Sequence, residues 1–120
     1  VLLHQLSPKV HLHLVTGDTH GTVATKVAGL PLELHIVSSG RLDEQKEAIV
    51  RSLGAENVVA IGNGANDRLM LRTALLGIGL IQKEGGAPLA LHEADILCLS
   101  IVDALELLIY PSRLQATLRN

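Results

Sequence analysis

Aromatic side chains are nearly missing from this sequence: Tyr110 stands alone, with no Phe and no Trp among 120 residues. Without aromatic platforms a chain cannot bind single-stranded nucleic acid by stacking successive bases. An excess of positive charge is missing too. Ten Lys and Arg against twelve Asp and Glu leave a formal net charge of −2, so there is no basic footprint for nucleic acid or for an anionic membrane. Cys98 is the one cysteine, which excludes an intrachain disulfide framework and fits a reducing, cytoplasmic setting. No apolar run reaches the roughly 18 residues that a spanning helix needs, and no signal-peptide pattern precedes the first strand-like segment.

What is present is aliphatic. The chain holds 24 Leu, 10 Val and 8 Ile, and its mean hydropathy is +0.35. With 48% hydrophobic and 18% charged residues, it can bury a core and is not a disordered segment. Its length allows one small domain.

Strand-like and helix-like periods alternate along the chain. Val10 to Val15 alternates apolar and polar residues and ends at Thr16-Gly17-Asp18-Thr19, which are turn and helix-cap types. A helix follows from near His20 to Val27, stopped by Gly29. Leu32 to Val37 is a second strand. Leu42 to Leu53 is a helix with Gly54 as its C-terminal stop. Asn57 to Ile61 is a short β-branched strand that breaks at Gly62-Asn63-Gly64, before a helix through Asp67 to Ala74. Gly77 to Ile81 and Asp95 to Leu99 are further strands, with a short helix from Gly86 to His92 between them. Ser100 or Asp103 starts a helix that Pro111 interrupts, and Ser112 to Arg119 forms the last one. Val1 to Leu6 reads as the end of a helix. This alternation predicts an α/β, three-layer Rossmann-like domain with a mainly parallel sheet of about five strands, residues 1–120 forming a single core.

Ligands of open α/β sheets bind at the carboxyl edge of the strands, and three segments fall there. Thr16 offers a hydroxyl and Gly17 a closely approachable backbone, both suited to phosphoryl oxygens. Lys46, early in its helix, is a point charge able to neutralise a phosphate. Gly62 to Asp67 is a glycine-loosened loop with an amide and a carboxylate suited to a hard cation.

These segments, in this order, resemble the second, third and fourth motifs of the haloacid-dehalogenase-like superfamily, and in particular the phosphoryl-transfer domain of P-type ATPases and its small soluble relatives. About 30 residues separate Thr16 from Lys46 and 17 separate Lys46 from Asn63, as the family pattern requires. The resemblance runs from about residue 10 to the C-terminus. It implies a Mg²⁺-dependent phosphohydrolase that cleaves a phosphate ester or phosphoanhydride of a small phosphorylated molecule through an aspartyl-phosphate. It assigns Thr16 and Lys46 to catalysis, Thr16, Gly17 and Lys46 to phosphate binding, and Asn63 and Asp67 to the metal. Only one short helix–strand unit separates Thr16 from Lys46, so the resemblance implies a capless site.

Two departures stand out. The family's first motif, an apolar strand carrying the nucleophilic Asp, is absent, and no Asp precedes Asp18. In the family that strand lies at the centre of the sheet, so the expectation is an N-terminally incomplete core with a gap in its ladder and two open edges, which a homo-oligomer would cover if the domain is natural at this length. The second departure is Asn63, where the family carries a metal-binding Asp; a neutral carbonyl should lower Mg²⁺ affinity. Both departures keep an alternative open: a catalytically silent domain that binds phosphate or a nucleotide, or serves as an assembly module. A dinucleotide site built on Gly62 and Gly64 is disfavoured, since Asp67 stands in place of the third glycine.

His11 and His13 share one strand face and His35 sits on another strand. With no Cys nearby and no acidic partner at a ligand spacing, they read as a partly covered sheet face or a contact with another chain rather than a metal site. Taken alone, Lys46 reads as one charge among Asp43, Glu44 and Glu47 on a solvated helix face. Cys98 reads as inert core.

Overall fold

The computed structural model describes residues 2–17, 22–38 and 40–118. Asp18, Thr19 and His20, which the sequence places next to the first phosphate loop, lie outside the described residues, as do Ser39 and Arg119. The helices are α1 (Leu2–Leu6), α2 (Thr22–Lys26), α3 (Leu42–Ser52), α4 (Arg68–Thr73), α5 (Pro88–Glu93), α6 (Ile101–Ile109) and α7 (Pro111–Leu118). The strands are β1 (His13–Thr16), β2 (Glu33–Ile36), β3 (Val59–Gly62), β4 (Leu76–Leu80) and β5 (Ile96–Cys98).

All strand pairing is parallel, and it divides into two sheets: β1-β2, and β3-β4-β5. Neither sheet reaches the expected five strands, and the division agrees with the gap in the ladder that the absent strand leads one to expect. β1 and β3, which the resemblance expects to flank the strand of the absent first motif, are not paired. Neither strand bonds to the other, so each has a single partner among the described strands. The chain falls into two compact units, residues 1–42 and 43–120.

In the first unit, β1 and β2 are joined by a crossover through α2, with His13 opposite Glu33 and Thr16 opposite Ile36. Its described buried apolar residues are Leu6 and Val37.

The second unit is layered on both faces of its sheet. Ala60 on β3 packs with Val50 of α3, Met70 and Leu71 of α4, Ala74, and Ala90 of α5. The opposite face carries Ile78 and Leu80 of β4, Ile96 and Cys98 of β5, and Ala104 of α6. Residue parity explains the division: β4 presents Ile78 and Leu80 to one side and Gly77 and Gly79 to the other. The glycines leave room for helices to come close. A Cβ on Gly77 would stand 2.5 Å from the Leu71 carbonyl oxygen. Of the two starts that the sequence offers, helix α6 takes Ser100, whose Oγ accepts from the Asp103 amide at 3.1 Å.

Cys98 is buried, and this burial, reinforced by the negative charge of Asp103, pushes its thiol pKa up. Since the thiolate is the nucleophile, the folded protein is expected to resist iodoacetamide at neutral pH and to react promptly once denatured. Intact mass against time checks this; equal rates in both states would show Cys98 to be accessible.

Candidate phosphate and cation site

At the carboxyl end of β3 the chain leaves the sheet through Asn63 and Gly64, makes a 3-10 turn over Ala65–Asp67 and enters α4. The Asp67 side chain turns back over this loop. Its Oδ2 accepts the amides of Asn63 at 3.1 Å and Gly64 at 3.0 Å. A carboxylate three residues into a helical turn that takes the preceding backbone donors closes the turn as one half of a capping box does. Gly62 is required by space: a Cβ there would come within 2.5 Å of the Asp67 carboxylate.

Lys46 completes the arrangement from α3. Its Nζ donates to Asp67 Oδ1 at 2.8 Å and to Asn66 Oδ1 at 3.0 Å. Lys46 is 9% exposed and Asp67 7%, so this is a buried ion pair and not part of a solvated helix face. The cause is helical period: Lys46 is four residues before Val50, the other buried residue of α3, and both fall on the inward stripe. Its neighbour Glu47 accepts from the Thr73 hydroxyl at 2.6 Å and pairs with Arg51 at 3.3 Å. The Thr73 hydrogen bond, aided by Arg51 against the effect of burial, holds the Glu47 carboxyl below its usual pKa.

Asn63 is half-buried. Its Nδ2 donates to Glu84 Oε1 at 3.2 Å, and its backbone carbonyl oxygen takes the Ala87 amide at 2.9 Å. Asn66 and Glu84 are the two members of this network that sequence reasoning missed. Asn66 lies within the Gly62–Asp67 loop but was assigned no role, and Glu84 lies 21 residues from Asn63, brought near by the loop after β4.

Thr16 ends β1 and Gly17 follows it, exposed; both belong to the first unit, where the Thr16 carbonyl accepts the Val37 amide at 2.9 Å. A Cβ on Gly17 would meet the Leu42 methyls at 3.6 Å, an ordinary contact, so space alone does not demand glycine there. The structure brings Lys46, Asn66, Asp67 and Asn63 together within the second unit.

The donor set allows a test for Mg²⁺. A carboxylate has about four lone-pair positions, and Asp67 has committed three of them, to Lys46 and to two backbone amides. What remains is one position on Asp67 and the Asn63 amide oxygen. This set fits a Mg²⁺ ion that takes most of its ligands from water and a phosphate.

No protein-family model matches the sequence. The chain is 43% identical over 79 residues to an uncharacterized protein of Methanocaldococcus jannaschii, a match covering 62% of this chain and 85% of that protein. It is 38% identical over 79 residues to the phospholipid-transporting ATPase tat-1 of Caenorhabditis elegans, covering 62% of this chain and 6% of that protein. Among solved structures, the catalytic domain of the CPx-ATPase CopB-B superposes with a TM-score of 0.72 at 24% identity, over 88% of this chain and 42% of that one. Phosphoserine phosphatase in its apo form gives 0.69 at 24% identity, over 91% and 63%. The 3-deoxy-D-manno-octulosonate 8-phosphate phosphatase of Moraxella catarrhalis, in complex with magnesium, phosphate and its sugar acid, gives 0.70 at 17% identity, over 96% and 71%. The chain thus spans less than two thirds of the first two of these structures. It belongs to one family with the Methanocaldococcus protein, and its fold is the haloacid-dehalogenase-like fold. No helix among the described residues is long and apolar enough to cross a membrane.

Proposed function

We propose that this chain carries phosphate- and cation-binding residues of a haloacid-dehalogenase-like phosphohydrolase acting on a small phosphorylated molecule. One observation supports this above the rest: the amine of Lys46 is buried at the carboxyl end of β3, held by Asp67 and Asn66 at 2.8 and 3.0 Å. An ammonium has three donors, so Lys46 keeps one for a phosphoryl oxygen. Phosphoryl transfer asks a protein chiefly to position groups and neutralise charge, and Lys46 does both. Thr16 and the Gly17 amide are proposed to take phosphoryl oxygens, as the resemblance implies. Asn63 and Asp67 would hold Mg²⁺, which when bound supplies further neutralisation of the phosphate. The aspartate nucleophile that the resemblance calls for is not among these 120 residues.

Asn63 supports a second reading, a silent module that binds phosphate without turnover. The protein isolated from its native source, assayed with p-nitrophenyl phosphate, separates the two. Mg²⁺-dependent phosphate release, reduced at least about 100-fold by Lys46→Gln, a size ordinary for one transition-state donor, is the expected result. Saturable phosphate binding without release would decide for the silent module, and no binding at all would sink both.

Restoring the carboxylate gives a further expectation. Asn63→Asp adds a charge to a donor set that is short of it, so Mg²⁺ should bind about tenfold more tightly, about 1.4 kcal/mol. Calorimetric titration of both proteins with Mg²⁺ measures this. Unchanged affinity would mean that residue 63 does not face the ion.

A further inference from the structure

The first unit gathers three ligand atoms that the phosphate reading does not use. Glu33 and His35, two apart on β2, point to one face of the sheet. The parallel register sets His13 opposite Glu33 and Val15 opposite His35, so the three side chains form a compact triangle. His13 Nδ1 lies 3.0 Å from His35 Nε2 and 3.4 Å from Glu33 Oε2, and one ligand atom from each of the three lies within 4.8 Å of the others. This corrects the sequence expectation that no acidic partner stands at a ligand spacing.

We propose that His13, Glu33 and His35 form a divalent transition-metal site, and that Zn²⁺ is the ion it fits best. The donor types are those of a three-ligand zinc site with an open fourth position. Zinc bonds of about 2.0–2.2 Å set the donors of a tetrahedral site about 3.3–3.5 Å apart, close to two of the separations seen. Two imidazoles and one carboxylate are too nitrogen-rich for Mg²⁺ or Ca²⁺, which take oxygen ligands. The His13 side chain is 19% exposed and that of Glu33 67%, so one ligand is anchored in the sheet while the carboxylate keeps the open position in contact with solvent.

The surroundings give the ion work to do. Two strands alone are marginally stable in water, and Leu6 and Val37 are the buried apolar residues described in this unit. Small units with little core commonly depend on a metal or a disulfide, and Cys98, the one cysteine, offers no disulfide. An ion bound to His13 on one strand and to Glu33 and His35 on the other would staple β1 to β2. The proposal stands independently of the phosphate site.

The test is titration of the whole chain with Zn²⁺ by calorimetry, and with Co²⁺ as a spectroscopic substitute. The expected result is one equivalent bound with a dissociation constant of about 10 μM or tighter, and a visible Co²⁺ spectrum of four-coordinate type. His13→Ala and His35→Ala should each weaken binding at least about 100-fold, since even an outer partner costs 10–100-fold. Glu33→Gln, at an exposed position that leaves folding intact, should weaken it about tenfold on the same scale. His92→Ala, exposed in the other unit, should change nothing. Absence of saturable Zn²⁺ binding in the unaltered chain up to about 1 mM, or binding by Glu33→Gln and His13→Ala as tight as by the unaltered chain, overturns the proposal.

Discussion

Replacing Lys46 by methionine is expected to destabilise the protein by about 3–5 kcal/mol, the cost of leaving one member of a buried ion pair without its partner. Methionine matches the length of the lysine stem and keeps its packing, so the loss reports on the charge. Asp67 would retain the amides of Asn63 and Gly64 but would lose its only cationic partner in the described network, the 2.8 Å contact to Nζ. Domain stabilities run about 5–15 kcal/mol, so the variant should unfold at a much lower urea concentration. Lys83→Met, at an exposed position, is the comparison, and should stay within about 0.5 kcal/mol of the parent. If the two variants unfold together, the buried pair contributes nothing net and its retention has to be explained by ligand binding alone.

Gly77→Ala should cost about 3 kcal/mol, the upper end of what overpacking exacts, although it adds one methyl group and improves intrinsic strand propensity. The added carbon would meet the Leu71 carbonyl oxygen at 2.5 Å and its carbonyl carbon at 3.1 Å. A flexible side chain could swing away; backbone at the end of α4 cannot move without shifting Leu71, which is 1% exposed in the core. Gly17→Ala is the contrast, because its nearest neighbours are leucine methyls at 3.6 Å. Thermal or urea unfolding of the two variants side by side checks this, and similar stabilities would show that α4 can retreat from β4 at little cost.

Much of the second unit could be read from the sequence because its signals are local. Ser100 before Ile101, Gly54 after Ser52 and the Gly62-Asn63-Gly64 break each mark a boundary within a residue or two of where it falls. The site's key residue was harder to read. Lys46 sits among acids, and local composition places it in solvent; the motif resemblance assigns it to the site, and its four-residue spacing to Val50 on one stripe agrees with its facing inward. The metal triangle divides in the same way. Glu33-Leu34-His35 carries the two-residue period that puts both ligands on one face, but the register that brings His13 opposite Glu33 depends on a crossover. Pairing between strands about 20 residues apart is set by tertiary packing, which no window of sequence contains. That the strands fall short of one five-stranded sheet was legible: the first-motif strand is absent from the sequence, and β1 and β3 do not bond to each other.

The back-turned carboxylate of Asp67 decides how an anion can be recognised at this loop. In glycine-rich nests that hold phosphates, successive backbone amides point outward and wait for a guest. Here the amides of residues 63 and 64 already have one, covalently part of the chain. The loop behaves as a lock with its own key left inside. On the proposed reading, a phosphate arriving at this loop would meet a satisfied main chain, and its recognition there would fall to side chains whose reach and charge can be altered one at a time without rebuilding the turn beneath them.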